Sequence, residues 1–79
     1  MKRDYDHLKN IEVGDIWMDR YGDQVLIQEV QKHNLNNNKK KFFLFLDVIL
    51  LTNVQNAKMV KAGEYIMEYD PSLLVKKVA

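Results

Sequence analysis

From Phe42 to Leu51 the chain runs through ten residues with a single polar side chain, Asp47. Read as a strand, Phe42, Leu44, Leu46, Val48 and Leu50 share one face, and Phe43, Phe45, Asp47, Ile49 and Leu51 the other. A strand apolar on both faces is either central in its fold or covered by another chain. In 79 residues little is left to cover a second face. Phe43, Phe45, Ile49 and Leu51 are therefore expected to form an oligomer interface. The alternative is a barrel closed well enough to bury both faces.

The flanking patterns are shorter. Residues 1–12 carry a charged segment in which Asp4 or Asp6 can cap one or two helical turns, since a carboxylate accepts bonds from unpaired helical N–H groups. Asp15-Ile16-Trp17-Met18-Asp19 has the β-branched and aromatic content of a strand. Tyr21-Gly22-Asp23 reads as a hairpin turn, with Gly22 free to take a positive φ. Gln24 to Gln31 is the return strand. Lys32 to Lys41 is rich in asparagine and lysine and is expected to be a long exposed loop, because asparagine competes with the backbone for hydrogen bonds. A short strand is expected at Lys58-Met59-Val60. Another is expected at Glu64 to Tyr69, with Tyr65, Met67 and Tyr69 on one side. Asp70-Pro71-Ser72 then supplies an N-cap and a first-position proline for a short closing helix over residues 73–77.

This pattern predicts a mostly-β single domain over residues 1–79. It comprises an N-terminal helical turn or arm (1–12) and a small five-stranded barrel (13–79), with short helical turns near both termini. The Val13-Gly14-Asp15-Ile16-Trp17 entry, the Tyr21-Gly22-Asp23 hairpin and the late Asp70-Pro71-Ser72-Leu73-Leu74 turn resemble small SH3-like barrel proteins. An OB-like barrel is the alternative. Many such compact proteins are carried by bacteriophages. The resemblance implies binding rather than catalysis, plausibly by a phage accessory protein that binds and modulates a host protein.

Charge and composition narrow the chemistry. The net charge is +1, far from the strong basicity of dedicated nucleic-acid binders. The absence of cysteine removes disulfides, thiolate metal sites and thiol nucleophiles, and fits a reducing cytoplasm. The charged N-terminus lacks the apolar run of a signal peptide, and the 42–51 stretch is about half the length of a membrane helix. A cytoplasmic protein with no membrane partner is expected. The single serine, Ser72, is accounted for by its turn. The two histidines, His7 and His33, have no nucleophile in sequence beside them. Asp4, Asp6 and His7 do not share a helix face, so no metal site is expected. No phosphate-binding or dinucleotide motif occurs. Neither catalysis nor a cofactor is expected.

Two further surfaces stand out. Trp17, Tyr21, Tyr65 and Tyr69 form the expected protein-partner set, because these side chains combine contact area with a polar tip. A lone tryptophan is also a common core residue. Lys39, Lys40 and Lys41 beside Phe42, Phe43 and Phe45 supply the ingredients of single-strand nucleic-acid binding, the second choice of partner. Edge protection of an apolar strand accounts for those lysines equally well.

Overall fold

The computed structural model describes residues 6–35, 38–56 and 58–79, with the side chains of residues 6, 34, 35 and 38–42 outside the description. Five antiparallel strands form one sheet: β1 (Ile16–Asp19), β2 (Gln24–Leu35), β3 (Asn38–Leu50), β4 (Tyr65–Tyr69) and β5 (Leu74–Lys77). Their order is β4-β3-β2-β1-β5, so these pairings leave β4 and β5 as the two edges. One-turn 3-10 helices at Asp6–Leu8 and Pro71–Leu73 stand near the two ends. Among the described residues no helix is long and apolar enough to cross a membrane.

The inner face of β3 makes the core. Leu44, Leu46, Val48 and Leu50 are buried and meet Val25 and Ile27 of β2, Trp17 of β1 and Leu74 of β5. Leu8 and Ile11 close this core from the N-terminal segment. The β1–β2 hairpin forms as the glycine pattern predicts, with Gly22 at φ 83° and the Asp19 N–H donating to the Asp23 carbonyl at 2.9 Å.

Both neighbours of β3 bulge against the same stretch of it. On β2 the register slips by one residue between Ile27 (opposite Val48) and Glu29 (opposite Asp47). On β4 it slips between Ile66 (opposite Val48) and Tyr69 (opposite Leu46). An extra residue in one strand bends it and increases the local twist. Here the β4 bulge also resets the alternation of side chains. Tyr65 faces solvent, Ile66 packs on the core and Tyr69 is buried, whereas strict alternation places both tyrosines on one side. Glu68 takes φ 53° to make the bulge.

Three expectations are corrected. Within the segment 32–41, residues 32–35 and 38–41 are strand and not loop: β2 continues to Leu35 and β3 begins at Asn38, with His33 opposite Phe43 and Asn34 opposite Phe42. Backbone pairing carries a hairpin arm past the core, and its polar residues need no buried face there. Residues 58–60 are not a strand. The Asn53 side chain bonds both backbone groups of Lys58 and the Val60 carbonyl at 3.1–3.3 Å, holding that loop without a strand partner. The closing helix stops after Leu73, and residues 74–77 pair with β1 as β5. A few residues beyond a proline turn are too short to sustain an α-helix, whereas β1 offers them a free edge.

A non-glycine residue in the left-handed region costs about 1–2 kcal/mol, most for β-branched side chains. Glu68 already bears this cost, so Glu68→Gly is expected to raise the urea-unfolding free energy by up to about 1 kcal/mol, while the β-branched Glu68→Val lowers it. Equal effects of the two substitutions would show that the bulge is not under this constraint.

Candidate functional site

Two groupings of side chains have the composition of a site, one buried and one exposed. The buried one joins the β1–β2 turn to the loop after β3. Asp19 and Asp23 are 1% and 0% exposed, and the Lys58 ammonium sits between them, 2.8 Å from Asp19 Oδ2 and bonded to Asp23 Oδ2. The Tyr69 hydroxyl donates to Asp19 Oδ2 at 2.7 Å. Asp19 Oδ1 accepts the Tyr21 and Asp23 N–H groups at 2.9 and 3.0 Å. Asp23 Oδ1 accepts the Val54 N–H and the Thr52 hydroxyl. Lys58 also lies 5.0 Å from the centre of the Tyr21 ring.

Burial opposes the charged form of Asp19, but the bonds from Lys58, Tyr69 and the turn amides outweigh it and hold the carboxyl below the ordinary range. Burial likewise opposes the Lys58 charge, and the two carboxylates outweigh it and raise its pKa. Burial first, then the bond to Asp19, pushes the Tyr69 hydroxyl well up. Among the described residues no buried side-chain polar atom lacks a partner. A network whose buried polar atoms each have a partner is suited to fixing loops.

Asp15 plays a smaller version of this part. It accepts the Glu12 N–H at 3.0 Å and the Trp17 indole N–H at 3.4 Å, with Lys77 3.4 Å away. Trp17 is 5% exposed and Tyr69 5%. Both belong to the core, which corrects their assignment to a partner surface: the bulge and the polar partners Asp15 and Asp19 draw them inward. His7 Nε2 donates to the Leu74 carbonyl at 3.0 Å, and its ring packs edge-on to Trp17. Among the described residues no three His, Asp or Glu side chains converge as a metal set.

The exposed grouping is the outer face of the sheet. Ile16, Leu26, Ile49 and Tyr65 stand in register across β1, β2, β3 and β4. The first three are half-buried and Tyr65 is 50% exposed. The next row toward the arm is Glu29 opposite Asp47, then Gln31 opposite Phe45, then His33 opposite Phe43. Phe43 and Phe45 are 44% and 47% exposed, and Met67 on β4 is 71% exposed. The His33 ring meets Phe45 edge-on at 5.8 Å. Of the expected oligomer set, Phe43, Phe45 and Ile49 lie together here and Leu51 follows just past the strand. Of the expected partner set, Tyr65 lies here, while Tyr21 is exposed at the β1–β2 turn. Lys39, Lys40 and Lys41 fall on the first residues of β3, and their side chains lie outside the described residues.

Asp47 is the polar centre of this face. It accepts the Tyr65 hydroxyl at 2.7 Å and the Glu68 N–H of the bulge at 3.1 Å. The bond to Asp47 is the main cause that pushes the Tyr65 hydroxyl up to about 12. A shallow open groove of about 240 Å³, lined by Leu44, Phe45, Glu68, Tyr69, Asp70 and Pro71, lies beside β4. It is smaller than the pockets that enclose small-molecule ligands. No family model, curated protein or solved structure matches the chain.

Lys58→Met leaves two buried carboxylates without their cation. It is expected to cost about 3 kcal/mol at neutral pH. The deficit narrows as pH falls, because without the cation the buried Asp19 carboxylate takes up a proton more readily than in the native chain. In the native chain the sign is opposite. The stability contributed by the depressed Asp19 carboxyl is complete above the unfolded carboxylate range and is lost as pH falls through its folded value. Urea unfolding of both chains across pH checks this, and a loss under about 1 kcal/mol would contradict it. On the outer face, Asp47→Asn is expected to bring the Tyr65 hydroxyl back toward the ordinary tyrosine value of about 10, read by NMR titration of its ring. An unchanged titration would exclude the Asp47 charge as its cause.

Proposed function

We propose that this chain is a non-catalytic protein-binding module whose docking surface is the outer face of the sheet. The carrying observation is the exposure of Phe43, Phe45 and Tyr65 on one face, each 44% exposed or more. Exposed aromatics and methionine are the side chains that anchor protein interfaces. The buried carboxylate–lysine network, by contrast, is held by bonds within the fold. The finer reading of the fold is a small SH3-like barrel. It is supported by β5 lying on the far side of β1 from β2, by the 3-10 turn that leads directly into β5, and by the two bulges that curl the sheet at β3. Its resemblance to phage-carried proteins makes a host protein the favoured partner class, in the cytoplasm.

A second reading rests on the hairpin arm. Phe43 and Phe45 are exposed on the strand that also carries Lys39, Lys40 and Lys41, and rings beside lysines can hold single-stranded nucleic acid. Glu29 and Asp47 lie in the next row and repel phosphate, which ranks this reading below protein binding.

Co-precipitation from host extract with a tagged chain separates the two readings. A salt-tolerant protein complex, lost on Phe45→Asp and weakened on Tyr65→Ala, is expected. In anisotropy titrations, oligonucleotide binding is expected to be absent or weak. Binding that falls steeply with salt and is abolished by alanine at Lys39, Lys40 and Lys41 would replace the protein reading with the nucleic-acid one.

A further inference from the structure

We propose that the partner protein presents an extended segment that adds as a strand to the open edge of β3, beyond the end of β4. This rests on the protein-binding reading above and names the part of the partner that is recognised. Strand pairing is the first argument. β2 lies along one edge of β3 from Leu50, opposite Val25, to Phe42, opposite Asn34. β4 covers the other edge only as far as Leu46, which faces Tyr69. The chain then turns away through the 3-10 helix at Pro71–Leu73, and among the described residues no strand takes its place beside the rest of β3. The Leu50 N–H donates to the Glu64 carbonyl and the Leu51 N–H to the Gln24 carbonyl. Even-numbered residues of β3 therefore turn their backbone groups toward β4, and odd-numbered ones toward β2. Over residues 42–50 the extra residues of both bulges lie in the neighbouring strands, so β3 itself keeps this alternation. Leu44 thus directs its N–H and C=O past the end of β4. Backbone groups call for partners, and an edge of this kind is a template for another strand.

The groove at the end of β4 is the second argument, and it gives the segment its chemistry. Leu44, Phe45, Tyr69 and Pro71 make its apolar walls, and its two charged residues, Glu68 and Asp70, are both acidic and exposed. Asp70 Oδ1 accepts the Ser72 N–H and hydroxyl at 3.0 and 2.8 Å, bonds that leave the carboxylate its charge. Lys32, opposite Leu44, stands on the β2 side of β3, away from this edge. A strand laid beside Leu44 sets an apolar side chain into the groove and is best matched by a lysine or arginine next to Glu68 and Asp70. The occupant is therefore an extended, apolar and basic segment.

A library of random linear peptides, panned against the full chain, tests the proposal without any host protein. Selected peptides are expected to alternate apolar residues with others that include lysine or arginine, and to slow hydrogen exchange at the Leu44 N–H, read by NMR. Methylating alternate peptide nitrogens should weaken binding in one register and spare it in the other, because a strand turns only every second N–H toward its neighbour. Glu68→Lys, confirmed as folded by circular dichroism, should weaken binding by about tenfold. A library that yields no binder would overturn the proposal, as would binders that prefer acidic residues or leave Leu44 exchange unchanged. If a host protein is nevertheless captured, lost on Tyr65→Ala and kept on Glu68→Lys, the outer face stands and only strand addition falls. Peptides that protect Leu44 in a chain that captures no host protein would uphold the edge and remove the outer face.

Discussion

This chain covers one face of its sheet with its own residues, and β3 is apolar on both. The rest of the molecule is arranged around that constraint. The inner side of β3 takes the core from every other strand and from the N-terminal segment. Its outer side is left with Phe43, Phe45 and Ile49, relieved only by Asp47. The carboxylate is spent on the bulge and on Tyr65, so it stabilises the fold from the solvent side. Burial of apolar area drives folding at about 25 cal/mol per Å², and a 79-residue chain cannot bury both faces of its most apolar strand without help.

The two bulges follow from the same geometry. Beside residues 46–48 of β3, each neighbour inserts one extra residue, which bends the sheet and shifts by one residue which side chains face inward. Tyr69 thereby reaches Asp19, fifty positions away in sequence, and ties β4 to the β1–β2 turn. Lys58 completes the tie from the connecting loop. The polar network thus fixes the loops at one end of the sheet, while the hairpin arm extends at the other. The proposed docking face lies on the outer side of the sheet, away from the end whose buried polar groups are bonded to one another.

Much of this was legible in sequence where the signal was local. The β1–β2 hairpin followed from Gly22 between two apolar runs. The two-faced character of 42–51 followed from alternation, and so did the exposure question it raised. The 3-10 turn followed from Asp70 and Pro71. What depended on distant partners was not legible. Asn and Lys at 32–41 argued for a loop, yet cross-strand pairing with the other half of the arm decided otherwise. The strand at 74–77 needed the open edge of β1. Trp17 and Tyr69 had the composition of contact residues, and only the positions of Asp15 and Asp19 explain why they turn inward. The Asp19–Asp23–Lys58 network had a faint trace in the aspartates flanking Gly22, but nothing local announced the lysine.

The central claim is that Phe43 and Phe45 serve contact with another molecule and contribute little to the fold of one chain. The direct measurement is urea unfolding of a Phe43→Ser, Phe45→Ser double variant at nanomolar concentration, where only monomer is present. The expected result is a loss of about 1 kcal/mol or less, as for surface positions. A loss of about 4 kcal/mol or more, the scale of emptied core positions, would show that the rings hold the fold together and would contradict the account.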